Sequence, residues 1–165
     1  MASSGSSLRG TMIRTLTHFL NNHQLYIRRG NTLLISELLT DDCTHHIKPE
    51  TIPDREPDLY GTREIYSDDH RINSPSLLSI FPDAEVSISE LVVDPVTLKG
   101  SAYTEHTAHP PSFLRPVVLD FSWHVDFTDD GTKLSRIFEF VDSEAALWAR
   151  DEFVAGVPRR ALADS

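Results

Sequence analysis

Leu119-Asp120-Phe121-Ser122-Trp123-His124-Val125-Asp126-Phe127 alternates large apolar residues with polar ones without a break. That period of two belongs to a strand with one buried and one solvated face. Asp129-Asp130-Gly131 supplies a turn, and Lys133 to Asp142 reads as the returning partner strand. Upstream, β-branched residues are frequent over Val86 to Val93 and Leu98 to Thr107, two strands flanking a turn at Asp94-Pro95-Val96-Thr97. Before Pro82 the pattern is helical. Met12, Ile13, Leu16, Phe19 and Leu20 recur at helical spacing and predict an amphipathic helix from Leu8 to His23. Asn31 or Thr32 can cap a second, short helix through Leu33, Leu34, Ile35, Leu38 and Leu39, ending near Asp41 and Asp42, after which the chain turns extended. Prolines 49, 53 and 57 predict an irregular connection from Lys48 to Asp58. A third helix is expected from Leu59 to Arg71, and Asn73-Ser74-Pro75 resembles the start of a fourth. A last short helix is expected over Ser143 to Phe153. Helices followed by a consecutive antiparallel meander predict an α+β domain rather than a parallel sheet.

A chain of 165 residues, 39% hydrophobic and 24% charged, is the size and composition of one globular domain. We expect that domain over residues 8–157, between a Ser-rich tail at 1–7 and a C-terminal tail at 158–165. The formal net charge of -10 argues against nucleic acid or an anionic membrane as partner, since both are bound through clustered Lys and Arg. No apolar run approaches the roughly 20 residues that span a bilayer, and the expected location is cytoplasmic. The single cysteine, Cys43, has no partner for an internal disulfide and reads as a small buried hydrophobe.

Asp42-Cys43-Thr44-His45 followed by Pro49 resembles a segment of fungal SnoaL-like proteins. Phe127 to Lys133, with Arg136 and Glu139-Phe140-Val141-Asp142-Ser143, is similar to the last hairpin of the same group. The resemblance implies a cone, in which a curved antiparallel sheet wraps on N-terminal helices around a central pocket. It also implies frequent dimerisation through the outer face of the sheet. The group includes polyketide cyclases, epoxide hydrolases, dehydratases, isomerases and rearrangement enzymes, together with non-catalytic binders, so the fold alone does not choose among them. Many members carry Arg four residues before the Cys; Leu39 stands here, which removes a cationic clamp at that point.

Glu139 is the leading catalytic candidate. Ile137, Phe138, Phe140 and Val141 surround it, and apolar surroundings raise a carboxyl pKa toward values suited to proton transfer. If odd-numbered residues of the last hairpin face odd-numbered ones, Glu139 points inward beside Phe121 and Trp123; a slip of one residue turns it outward. His45 and His46 are adjacent in an extended stretch, so one of them points inward, and the resemblance favours His45. Tyr103 shares a strand face with Glu105 and Thr107, and Ala102, Thr104 and His106 share the other; Tyr103 is taken as the pocket hydroxyl. Phe121, Trp123, Val125 and Leu39 are expected to line the substrate cavity, with Glu105 and Asp69 at its margin. His124 and Asp126 fall on the polar face, toward solvent or a second subunit. Among eight histidines, neither His45-His46 nor His106-x-x-His109 has the spacing of a zinc motif. Phosphate-cradling and dinucleotide-binding glycine patterns are also absent, so no metal and no cofactor is expected.

These readings lead to an enzyme of fungal specialised metabolism, an isomerase, cyclase or rearrangement catalyst performing acid/base chemistry on an apolar polyketide- or terpenoid-type intermediate, and a homodimer. The alternatives are an epoxide hydrolase, which needs a second carboxylate near Glu139 such as Glu105 or Asp69, and a non-catalytic ligand-binding scaffold. The scaffold predicts an interior without a convergent pair of ionisable groups.

Overall fold

The computed structural model describes residues 7–29, 37–48, 84–109 and 115–148. Ser7 starts the first helix: its Oγ accepts from the Gly10 amide at 3.2 Å and its carbonyl from Thr11 at 3.0 Å, which satisfies amides that a helix start leaves orphaned. Helix α1 runs Leu8–Arg29, six residues beyond the expected end at His23. Met12, Leu16, Phe19 and Leu20 are buried, and His23 extends their stripe by one more turn. Ile13, which the spacing also places among the apolar residues, is more than a third exposed.

Five strands follow: β1 (Leu39–Lys48), β2 (Glu85–Asp94), β3 (Lys99–Ala108), β4 (Val117–Phe127) and β5 (Leu134–Val141). They form one sheet in the order β1-β5-β4-β3-β2. The meander from β2 to β5 is antiparallel as expected. The sheet as a whole is mixed, because β1 adds to β5 in parallel. This corrects two expectations: the sheet is not purely antiparallel, and the predicted second helix does not reach Asp41 and Asp42, since Leu39 already opens β1. The β1 register shifts between Leu39 and Thr44, where extra residues bulge out and leave Asp41 and Asp42 exposed. Residues 143–148 are helical; the Asp142 carboxylate accepts from the amides of Glu144 and Ala145 at 3.0 and 3.2 Å and caps the segment. The elements expected at Leu33–Ile35, Lys48–Asp58, Leu59–Arg71 and Asn73–Phe81 lie outside the described residues apart from Lys48, which ends β1, as do the end of the last helix and both tails except Ser7.

Both hairpin turns form where their residues predict. Asp94 accepts from the Val96 amide and the Thr97 hydroxyl, at 2.9 and 2.7 Å. Asp130 accepts from the hydroxyls of Thr128 and Thr132 and the Thr132 amide, and these bonds hold its carboxyl down at about 2. Gly131, in the same turn, is where α1 meets the sheet. Its φ is +71°, its carbonyl accepts from the buried Thr15 hydroxyl at 2.8 Å, and an added Cβ would stand 2.8 Å from Met12 Cγ and 3.0 Å from Leu8 Cδ1. Gly131→Ala therefore combines left-handed strain of about 1–2 kcal/mol with overpacking of about 1–3 kcal/mol. We expect thermal unfolding to drop by roughly 5–15 °C, a scale set by the size of the chain. A melting curve unchanged to within about 2 °C would mean that the helix does not seat on this turn.

The inner face of β4 carries Val117, Leu119, Phe121, Trp123, Val125 and Phe127, all buried. Phe19 of α1 meets the Trp123 ring edge-on at 5.8 Å. The outer face carries charge and aromatic area. Asp126 pairs with Lys99 and Arg136 at 2.7 and 2.6 Å, the Arg136 guanidinium lies over Phe138, His46 stacks on Phe138 at 4.8 Å, and His124 meets Phe140 edge-on. Among the described residues no helix is long and apolar enough to cross a membrane.

Candidate active site inside the cone

Strand register decides which chemistry faces inward. Next to the turn Phe127 pairs with Leu134, but after a register shift Val125 pairs with Ile137, Trp123 with Glu139 and Phe121 with Val141, so odd-numbered residues oppose odd-numbered ones there and Glu139 lies on the buried face, 6% exposed. On the neighbouring strand His45 pairs with Ile137 and His46 with Phe138. His45 is thereby buried, 2% exposed, while His46 turns to the outer face. The two strands bring His45 Nε2 and Glu139 Oε2 to 2.9 Å. With the carboxyl ionised and the imidazole neutral, Nε2 carries the hydrogen and donates to Oε2. An imidazole and a carboxylate held together away from water form a unit that can take up a proton and return it.

Trp123 is the hub of this interior. Its ring lies 5.2 Å from His23 and 6.2 Å from His45, and Phe121 stacks beside it at 6.0 Å. Its Nε1 donates to Thr104 Oγ1 at 2.8 Å, and Thr104 Oγ1 is 3.3 Å from His106 Nε2. Around Trp123, buried polar side chains thus come from α1 (His23), β1 (His45) and β3 (Thr104), with Glu139 of β5 paired opposite it. Burial lowers His23 to about 4; the Glu139 charge opposes that shift, and His45 and His106 add to it. Burial likewise lowers His106 to about 4, again opposed by Glu139. Both rings are neutral at pH 7.

Phe121, Trp123, Val125 and Leu39 are all buried on the inner side. Tyr103 is not placed there, and that expectation is corrected. Strand β3 turns Ala102, Thr104, His106 and Ala108 inward, so Tyr103 and Glu105 stand on the outer face. The Tyr103 hydroxyl is engaged with Asp120, an interaction that pushes the phenol up to about 12. Glu105 is exposed and accepts from the Thr107 hydroxyl at 3.3 Å, so it is not the second carboxylate beside Glu139 that a hydrolase would use. Asp69 lies outside the described residues. Cys43 is buried, and burial with Asp42 nearby pushes its thiol up to about 12, the condition of an inert packing group. His23 escaped the sequence reading, although its position four residues after Phe19 continues the buried stripe of α1. His106 was weighed against Tyr103 and set aside. Among the described residues no cluster of three or more His, Cys, Asp or Glu is arranged to hold a metal ion.

No family model matches the chain, and no curated protein matches it by sequence. Solved structures do match. The BvnE pinacolase of Penicillium brevicompactum superposes with a TM-score of 0.70 at 14% identity, over 90% of this chain and 98% of that one. PrhC of Penicillium brasilianum gives 0.64 at 17% identity, over 90% and 91%. A protein of Jannaschia sp. CCS1 assigned as a SnoaL-like polyketide cyclase gives 0.63 at 14% identity, over 90% and 96%. The chain thus has the α+β fold of the SnoaL-like proteins, here an N-terminal helix against an unclosed five-stranded mixed sheet.

Proposed function

We propose that the chain is an isomerase, cyclase or rearrangement enzyme that acts by acid/base chemistry on a largely apolar polyketide- or terpenoid-type intermediate. The carrying observation is the buried His45–Glu139 contact of 2.9 Å within an aromatic-walled interior. The pair removes a proton from carbon next to a carbonyl, or from a hydroxyl, and returns it elsewhere on the same skeleton. Trp123 and Phe121 hold an apolar ring system and keep water away while the charge is transiently separated. A non-catalytic scaffold has no need of a convergent ionisable pair, and this weighs toward an enzyme. The shared fold with a pinacolase and a protein assigned as a polyketide cyclase agrees with the reading at the level of fold only.

The test uses enolisable ring ketones as probes, with 1-tetralone and 2-tetralone incubated with the protein in D2O and followed by mass spectrometry. Deuterium is expected to enter at the carbon next to the carbonyl faster than in buffer alone for at least one probe, and the excess rate is expected to vanish in His45→Asn. A panel that exchanges no faster than in buffer, or an excess rate that persists in His45→Asn, would remove the proposed chemistry.

A further inference from the structure

Within the same interior the His106 ring carries a buried polar atom that no described residue meets. His106 is 3% exposed, projects from the inward face of β3, and has no hydrogen-bond partner for Nδ1 among the described residues. The hydrogen positions around it follow from a chain that starts at Trp123. An indole nitrogen only donates, so the 2.8 Å contact makes Thr104 Oγ1 an acceptor. The threonine hydroxyl has one hydrogen of its own to place; given to His106 Nε2, 3.3 Å away, it makes that ring nitrogen the acceptor. A ring nitrogen that accepts carries no proton. In the neutral imidazole the hydrogen therefore sits on Nδ1. Among the described residues the relay from Trp123 through Thr104 to His106 thus ends on a buried N–H without an acceptor, and a buried group of this kind calls for a physical role.

The surroundings define that partner. The buried polar side chains among the described residues are Thr15, Asn22, His23, His45, Thr104, His106 and Glu139, without a Lys or Arg, so an anionic group would meet no compensating charge there. His106 and Glu139 both lie on the buried face of the sheet, and the Glu139 charge works against the burial that lowers His106. Phe121 lies against the His106 ring at 4.6 Å and offers an apolar wall. We propose that His106 is a substrate-orienting residue whose Nδ1–H donates to a neutral carbonyl oxygen on an aromatic or polycyclic ligand that also meets the His45–Glu139 pair. The identity of the reaction rests on the acid/base reading above, whereas the tautomer and the carbonyl contact do not. A neutral donor aimed at a ketone also steadies the enolate that forms when the neighbouring carbon loses its proton, so its removal should be felt in kcat more than in KM.

The experiment uses the full chain labelled with 15N-histidine, with the His106 ring signals assigned by their absence in His106→Asn. Long-range proton–nitrogen correlation at pH 7 is expected to show the Nδ1–H tautomer. Addition of 1-tetralone to its solubility limit is expected to shift the Nδ1–H signal, and tetralin, the same skeleton without the carbonyl, is expected to leave it in place. A charged ring, an Nε2–H tautomer, an unmoved signal with 1-tetralone or an equal shift with tetralin would each overturn the assignment. In the exchange assay His106→Phe is expected to lose roughly 10²-fold, the scale for removing one such donor. His106→Asn puts an amide N–H near the Nδ1 position and should restore most of that loss, while His106→Gln, which mimics Nε2, should not. Equal losses in the Asn and Gln variants would reduce His106 to packing. Failure of the acid/base reading looks different, because 1-tetralone would then still shift the Nδ1–H signal while no deuterium enters.

Discussion

Glu139→Gln is expected to lower turnover of the cognate substrate by roughly 10²- to 10⁴-fold, the usual contribution of a positioned acid/base group. Glutamine keeps the length of the side chain and can still bond to His45, so the structural cost is small beside the chemical one. What it cannot do is accept a proton and give it back. The 2.9 Å contact makes a stronger demand, because two groups that share one proton act as a unit. Removal of either should cost nearly as much as removal of both, and the double variant with His45→Asn should be little worse than the singles. Multiplying losses would mean that the two side chains serve separate steps. Glu139→Gln that melts like the wild type and keeps its turnover would exclude the carboxylate from the chemistry altogether.

The path to this pair explains what the sequence exposes and what it hides. Strand β4 was legible because its inward positions are Val117, Leu119, Phe121, Trp123, Val125 and Phe127, an uninterrupted apolar set on a period of two. The face of Glu139 was less legible: the turn sets Phe127 opposite Leu134, and only the register shift beyond it, with Asp126 opposite Arg136, brings Glu139 opposite Trp123 on the buried face. Strand β1 was hidden for the opposite reason. Beyond Leu39 its described buried positions are Cys43 and His45, which make no run of large apolar residues, and the leucines before it imitate a helix. Strand β3 misled through side-chain size. Its inward residues Ala102, Thr104 and Ala108 are small because Trp123 and Phe121 fill the space opposite, so the bulky Tyr103 looked like the buried residue when it is the outer one. His23 could have been found from its place four residues after Phe19 on the buried stripe of α1, whereas the burial of His106 shows only through the packing around it.

That packing carries a further consequence, a steep loss of stability in mild acid. His23 and His106 both fall from 6.5 to about 4 in the folded chain, chiefly through burial. Between those values the unfolded chain binds protons that the folded chain refuses, so lowering the pH draws the equilibrium toward unfolding. The stabilisation is complete above about pH 6.5 and is lost by about pH 4, below which these rings charge in both states and the slope from them vanishes. Each shift corresponds to ~3 kcal/mol, and two together approach the whole stability of an ordinary domain, ~5–15 kcal/mol. His46, also lowered, acts in the same direction. Asp130, held at about 2, and Asp94, also lowered, act in a separate window. Their stabilisation is present above the usual value of 3.8 and is lost as the pH falls through their folded values. Acid unfolding should therefore begin in the histidine window, well before the carboxylates titrate. Urea titrations at pH 7, 6, 5 and 4 would measure it, with a slope approaching ~2.7 kcal/mol per pH unit, the value for two protons. His106→Asn should roughly halve that slope. Stability that stays level from pH 7 to pH 5 would mean that His23 and His106 charge as readily in the folded chain as in water, and the dry, neutral interior inferred for the site would have to be abandoned.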